Sequence, residues 1–333
     1  MYKANDDRYS TMEYAHSGKS GLKLPKISFG LWHNFGDTND KDVAKQMIYS
    51  AFDAGITYFD LANNYGNPAG SAERNFGEIL SSDLKPYRDQ LVVSSKAGYD
   101  MWAGPYGNYG SRKYLLSSLD QSLQRLQLDY VDIFYHHRMD PDTPVEESMM
   151  ALDQAVKSGK ALYAGISNYD SQKTKEAVSI MRDLRCPFIV NQVRYSLLDR
   201  HIERDNLLET VDQTGLGIVA FSPLAQGLLS DRHFNSSTAN ARPKVDNRSL
   251  GMYNVTPALI EEVKKLNAIA FERGQTLPQM ALSWLLAKKQ VTTVLVGSSK
   301  KEQLLDNLKC LENTYFTAEE LTAIDNISLP ICH

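Results

Sequence analysis

Short apolar runs, each about as long as a β-strand, recur along the chain between polar or amphipathic stretches. Eight of these runs are predicted to be strands: residues 27–31, 57–61, 91–95, 131–135, 161–166, 188–192, 217–221 and 293–296. Amphipathic stretches separate most of them. Strands that alternate with helices are typical of parallel strands joined by right-handed crossovers. The pattern therefore predicts an α/β protein built on a parallel sheet.

The predicted helices rest on apolar residues that recur three or four positions apart. Val43 and Met47 begin one such face, and Leu115 and Leu119 begin another, with Ser111 as a candidate N-cap. Further helices are predicted at 152–156, 174–184, 207–213, 259–270, 279–286 and 302–311. Each would cover one face of the sheet.

Two architectures fit this alternation: a closed eight-stranded barrel and an open, doubly wound sheet. The open sheet would carry a glycine-rich phosphate turn after an early strand, and neither GxGxxG nor GxxxxGK[ST] occurs. We therefore predict a (β/α)8 TIM barrel in a single domain, residues 1–333. Segments 12–14 and 22–24 are predicted to form an N-terminal β-hairpin. Two long βα loops, 98–110 and 225–253, are expected on the catalytic face.

Composition excludes several kinds of partner. The chain has 333 residues, of which 42% are hydrophobic, and a formal net charge of −4, so no general attraction to nucleic acid or to an anionic membrane is expected. The polar N-terminus lacks the apolar segment of a secretory signal, and no apolar run is long enough to span a bilayer. Three widely spaced cysteines suggest neither a metal site nor a disulfide framework. A cytoplasmic protein is expected.

Side chains that can handle a proton lie at three of the predicted strand ends. Asp60 ends the second strand and Tyr65 follows in the next loop; Lys96 follows the third strand, and His136 and His137 follow the fourth. Taken singly, Asp60 could be a helix or turn cap, and Tyr65 could be a packing or loop residue. A barrel brings its strand ends to one mouth, and there the set could act as an acid on a carbonyl oxygen.

The same segments resemble a known family. The stretch from Asp60 to Tyr65, the Ser-Ser-Lys that ends at Lys96 and the strand that leads to His137 resemble the motifs of the aldo/keto reductases. The whole chain follows that pattern. Segments 30–36, 96–102 and 221–229 resemble the bacterial branch that reduces L-glyceraldehyde 3-phosphate, which is related to potassium-channel β-subunits.

The resemblance implies a mechanism. Hydride would pass from NADPH to a carbonyl carbon while Tyr65 protonates the oxygen. A free phenol titrates near pH ~10, so a nearby ammonium from Lys96 is expected to lower its pKa. Asp60 would hold Lys96 charged, and His137 would orient the carbonyl. His136 has the opposite strand orientation and is expected to pack.

The resemblance also implies cofactor-binding residues, drawn from the early loops and the later strands. They are Trp32, Asp60, Ser167, Asn168, Gln192, Phe221, Ser222, Leu224, Gln226, Gly227, Gly297, Ser298, Ser299, Gln303, Asp306 and Asn307. Gly297 and Gln303 stand where many relatives have the lysine and arginine that hold the adenosine phosphate. Arg232 and Arg242 are the candidates to replace them, and both also fit solvated loop charges.

The substrate pocket implied in the same way comprises Trp32, Tyr65, Trp102 and His137. Arg112 and Lys113 fit either a substrate-phosphate contact or exposed helix charges. The leading function is an NADPH-dependent reductase of short aldehydes, with L-glyceraldehyde 3-phosphate as substrate and methylglyoxal-type aldehydes as side substrates. The alternative is a cofactor-binding regulatory subunit with slow turnover; a more remote one is a sugar-phosphate isomerase. A homo-oligomer is compatible with either of the first two.

Overall fold

The computed structural model describes residues 2–230 and 255–332. Eight parallel strands close into a barrel in the order β10-β3-β4-β5-β6-β7-β8-β9, as predicted. Their bounds are Ile27–Gly30 (β3), Tyr58–Asp60 (β4), Val92–Ala97 (β5), Val131–His136 (β6), Ala161–Ser167 (β7), Phe188–Arg194 (β8), Gly217–Phe221 (β9) and Val291–Val296 (β10). The predicted hairpin is also present. Its antiparallel strands are Tyr14–His16 (β1) and Lys23–Pro25 (β2).

Helices surround the barrel. Their bounds are Lys41–Asp53 (α1), Ser71–Ser82 (α2), Arg112–Leu126 (α3), Val145–Lys157 (α4), Ser171–Asp183 (α5), His201–Arg204 (α6), Leu207–Thr214 (α7), Pro257–Glu272 (α8), Leu277–Leu286 (α9), Lys301–Leu308 (α10) and Ala318–Ser328 (α11). Ser111 caps α3 as predicted, accepting a hydrogen bond from the backbone N–H of Tyr114. Helices α2, α6 and α11 were not predicted.

Two apolar layers hold the barrel together. The larger lies between the strands and the helices, where burial of apolar surface stabilises the fold. The smaller includes Tyr58, Ile133, Tyr135 and Val219, whose strands form the barrel wall, and Leu24 of the hairpin packs with them. Because side chains alternate along a strand, Asp60 lies on the same face of β4 as Tyr58. Asp60, which ends that strand, therefore faces the mouth of the barrel.

None of the helices among the described residues is both long and apolar enough to cross a membrane.

Candidate active site

A buried ion pair lies at the barrel mouth. The Lys96 ammonium is 2.5 Å from Oδ2 of Asp60, and the two side chains are 0% and 3% exposed. Lys96 also donates to the backbone oxygen of Leu61 at 2.8 Å. A buried charge needs a partner of this kind, because removing an ion from water costs several kcal/mol. Strands β4 and β5 are neighbours, with Asp60 aligned with Ser94, and this places the two side chains together.

The second carboxylate oxygen of Asp60 is also fully occupied. Oδ1 accepts hydrogen bonds from the Ser94 hydroxyl at 2.7 Å, the Gln192 amide at 2.9 Å and the Tyr58 hydroxyl at 3.2 Å. Three donors therefore hold this one oxygen in place. Gln192 lies within β8 rather than at its end, and its amide points at Asp60. The expected cofactor-binding Gln192 is thus joined to the expected catalytic Asp60.

Aromatic rings close over this pair. The Lys96 nitrogen is 5.0 Å from the centre of the Tyr65 ring, which lies 5.8 Å from the imidazole of His137 and 6.2 Å from Trp32. The structure therefore brings Asp60, Tyr65, Lys96 and His137 to one place, as the strand ends predicted.

Tyr99 contributes to the site and was not predicted to. Its ring lies edge-on to His137, with 4.7 Å between centroids. Trp102 instead contacts Tyr114, at 5.1 Å between ring centroids. The signal for Tyr99 was its position three residues after Lys96, in the same long loop as Trp102.

The pKa of Tyr65 differs from expectation. Burial raises the pKa of its phenol well above the usual value of 10.0, and the negative charge of Asp60 and then Tyr99 add to the rise. The net lowering expected from Lys96 does not occur, because burial dominates the pKa of this phenol. Burial also lowers the pKa of Lys96, although Asp60 opposes that shift. At neutral pH the phenol therefore carries its proton.

The two histidines are both buried and have different partners. Burial, followed by the charges of Lys96, His136 and Arg138, lowers the pKa of His137 well below 6.5. Its Nδ1 has no hydrogen-bond partner among the described residues. The ring of His136 instead packs near Tyr169, with Nδ1 2.7 Å from the phenol oxygen. His137 is thus a neutral imidazole at the mouth, and His136 packs as expected.

The end of β7 supports His137. The Asn168 amide donates to the backbone oxygen of His137 and to the Ser167 hydroxyl, both at 3.1 Å. Asn168 adopts a left-handed backbone conformation with φ of 58°, which asparagine tolerates better than most residues. Ser167 and Asn168 therefore lie beside His137, within reach of a ligand in the mouth.

The segment after β9 has an unusual backbone. Ser222, Ala225, Gln226 and Gly227 all have positive φ, from 46° to 95°. The N–H groups of Ala225 and Gly227 donate to the backbone oxygens of Ser222 and Leu224. N–H groups of such turns that have no internal partner can form a concave anion site. Phe221 and Leu224 are half-buried on either side of Ser222. These residues lie in one short stretch, as the cofactor prediction requires.

The start of α10 is a compact polar turn. The Gln303 side-chain oxygen accepts from the Ser298 hydroxyl at 3.1 Å and from the backbone N–H of Ser299 at 3.3 Å. The amide nitrogen of Asn307 is buried without a partner among the described residues. A Cβ added at Gly297 would meet nothing within 4 Å. Gly297 thus leaves open space before α10, and Asn307 within the helix has an amide donor that no described residue uses.

One of the predicted cofactor contacts, Asp306, has a partner of its own. Asp306 forms an ion pair with Lys309 at 3.0 Å, which occupies part of its carboxylate. Arg232 and Arg242 lie outside the described residues.

The sequence as a whole matches known proteins. Residues 26–329 match the family model of the aldo/keto reductase family. The chain belongs to the aldo/keto reductase family. An aldo/keto reductase is an oxidoreductase that uses a nicotinamide cofactor, and the polar mouth and the turns after β9 and β10 are consistent with that chemistry.

Individual relatives of this aldo/keto reductase are similar over almost its full length. It is 50% identical to L-glyceraldehyde 3-phosphate reductase of Escherichia coli (strain K12) over 328 residues, which cover 98% of this chain and 95% of that protein. It is 36% identical to a probable voltage-gated potassium channel subunit beta of Oryza sativa subsp. japonica over 307 residues, which cover 90% and 92%. The corresponding Arabidopsis thaliana protein is 34% identical.

Proposed function

We propose that this protein is an NADPH-dependent reductase of short aldehydes. The proposed substrate is L-glyceraldehyde 3-phosphate, reduced to L-glycerol 3-phosphate in the cytoplasm, with methylglyoxal-type aldehydes as side substrates. The choice of substrate is supported by the 50% identity to a reductase of that name. The observation that carries the chemistry is the buried Asp60–Lys96 pair beneath Tyr65 and His137.

The described residues fit a nicotinamide cofactor. NADPH, when bound, supplies the hydride. Ser167, Asn168 and Phe221 would hold its nicotinamide end, since they lie at the carboxyl ends of β7 and β9. The positive-φ turn from Ser222 to Gly227 suits a pyrophosphate. The unused amide donor of Asn307 suits the adenosine end.

Each member of the tetrad has a separate role. Tyr65 donates the proton to the carbonyl oxygen, since its phenol carries a proton at neutral pH. Lys96, held by Asp60, places a positive charge under that ring and stabilises the phenolate left after transfer. Neutral His137 donates a hydrogen bond to the same oxygen, which orients the carbonyl.

A regulatory subunit remains the second candidate, since two proteins named as probable voltage-gated potassium channel β-subunits are 36% and 34% identical to this chain. Such a protein would bind NADPH and turn over slowly. The complete tetrad favours an enzyme. Negligible wild-type turnover together with tight NADPH binding would favour the regulatory reading.

The test is a panel of short aldehydes with NADPH and with NADH, on wild type and Tyr65→Phe. The variant is expected to lose roughly 10²–10⁴-fold in kcat, the usual contribution of a general acid. Binding of NADPH, followed by fluorescence, is expected to persist. Tyr106→Phe is the matched control, because Tyr106 is 55% exposed. Full turnover by Tyr65→Phe would remove Tyr65 as the proton donor.

A further inference from the structure

A phosphorylated aldehyde needs a cation at the mouth whose charge is not already neutralised. Arg138 follows His137 directly in the chain, and its side chain is half-buried. Among the residues that the structure describes, no carboxylate forms an ion pair with Arg138. Lys96, which is fully buried at the mouth, is paired with Asp60 at 2.5 Å.

The partners of Arg138 are neutral. Its Nε donates to the backbone oxygen of Gly98 at 2.8 Å, and its Nη2 donates to the side-chain oxygen of Asn108 at 2.9 Å. Its guanidinium carbon lies 4.3 Å from the Tyr99 ring centre and 4.4 Å from that of Tyr109. Within residues 2–230 and 255–332, these contacts fix the side chain without neutralising its charge and use two of its five N–H donors. The guanidinium is therefore held in place with donors still available.

Arg138 also lies close to the group that would hold the carbonyl. The Tyr99 ring that contacts its guanidinium is 4.7 Å from the His137 ring. The charge of Arg138 is one of the causes that lower the pKa of His137. The Tyr99 ring therefore contacts both His137, which is proposed to orient the aldehyde, and the guanidinium of Arg138.

Arg112 and Lys113, the two cations that the sequence offered for the substrate phosphate, are less well placed to bind it. Arg112 donates from Nη1 to the backbone oxygen of Met150, so it is turned toward α4. Lys113 is exposed, with its ammonium 5.3 Å from the ring centre of Tyr106. An exposed lysine is a flexible, strongly hydrated charge, whereas a fixed guanidinium suits bidentate binding of phosphate.

We propose that Arg138 binds the phosphate of a phosphorylated three-carbon aldehyde and so sets the preference for phosphorylated over unphosphorylated substrates. The inference rests on the proposed function. It adds to the site a residue that determines substrate specificity. The loop after β5 supports Arg138 through Gly98, Tyr99, Asn108 and Tyr109.

The test compares kcat/KM for glyceraldehyde 3-phosphate and for glyceraldehyde at saturating NADPH, in wild type and Arg138→Gln. Charge-assisted hydrogen bonds are worth enough that the ratio of the two constants is expected to fall roughly 10- to 100-fold, chiefly through KM of the phosphorylated substrate. Inorganic phosphate is expected to inhibit wild type and to inhibit the variant less. Arg138→Lys is expected to recover part of the ratio.

Arg182→Gln, at an exposed position near the end of α5, is the matched control and is expected to keep the wild-type ratio. Equal losses for both substrates in Arg138→Gln and Arg138→Lys would show that Arg138 only supports the loop, which overturns the inference. A ratio that falls in Lys113→Gln instead would also overturn it. A wild type without any preference for the phosphorylated aldehyde would refute the proposed substrate itself, a separate result.

Discussion

At the scale of single residues, the neutral imidazole of His136 links the site to the stability of the fold. Its ring is fully buried near Tyr169. Burial lowers the pKa of His136 to about 4. The unfolded chain, where histidine titrates near ~6.5, therefore binds more protons than the folded chain between these two pH values. Stability contributed by His136 is present above pH ~6.5 and is lost as the pH falls toward 4.

The free energy of unfolding is expected to be lower at pH 5 than at pH 7. His136 alone accounts for about 2 kcal/mol of that decrease by linkage, and His137 acts in the same direction. In His136→Gln the decrease between the two pH values is expected to shrink by about that amount. Urea unfolding at both pH values measures it. The exposed His16→Gln is the control, and an unchanged decrease in His136→Gln would contradict the assignment.

Sequence reasoning could place Asp60, Lys96 and His137 together because the carboxyl ends of parallel strands meet at one mouth. It could not predict the hydrogen bond from Gln192 to Asp60, because these two residues are 132 positions apart in the chain. It also gave the wrong direction for the pKa of Tyr65, because the depth of burial is a property of the packed molecule. The same limit applies to Tyr99 and Arg138, whose contacts depend on how the loop after β5 folds back.

At the scale of elements, the connection from β4 to α2 sets the position of Tyr65. The backbone oxygen of Tyr65 accepts from the N–H groups of Gly70 at 3.0 Å and Ala72 at 3.2 Å. Gly66 has φ of 86°, and a Cβ there would lie 2.6 Å from the backbone nitrogen of Ala72 and closer still to the Ser71 hydroxyl. Glycine is required at this position, for both conformation and space.

Gly66→Ala is therefore expected to shift Tyr65 and to lower kcat at least 10-fold, with a stability cost of roughly 1–3 kcal/mol for the strained backbone. Steady-state kinetics and thermal unfolding measure the two effects. Gly159→Ala is the matched control, because its φ is also positive, at 74°, but its added Cβ would meet nothing within 4 Å. Similar kcat values for the two variants would show that the Gly66 turn does not position Tyr65.

The composition of helix α2 explains why this helix was not predicted from the sequence. Its buried face includes the polar residues Ser71, Glu73 and Asn75, which interrupt an apolar stripe. Gly77 lies where a Cβ would come 2.8 Å from the backbone of Leu126, so glycine permits close approach to α3. Glu73 is fully buried and paired with Arg125 at 2.7 Å. Polar groups that satisfy one another inside the protein cannot be distinguished by type from surface residues in a sequence.

At the scale of the whole molecule, cofactor binding is expected to raise thermal stability, because a ligand that binds only the folded state shifts the unfolding equilibrium. At 100 times its dissociation constant, NADPH would add about 2.7 kcal/mol, which corresponds to several degrees in Tm. NADH at the same concentration is expected to give a smaller rise. Arg242 is a candidate to bind the adenosine phosphate of NADPH, so Arg242→Gln is expected to reduce the difference between the rises in Tm with NADPH and with NADH. Equal shifts for the two cofactors would contradict the preference for NADPH.

The order of strands around the barrel has a consequence for how the protein is made. The first barrel strand, β3, is hydrogen-bonded to the last, β10, with Ile27 aligned with Val294. During translation, most of the chain must leave the ribosome before β3 can pair with β10. Until then one edge of β3 stays open, and open strand edges invite pairing with other chains. Nascent chains stalled before β10 are the species that a chaperone would need to shield.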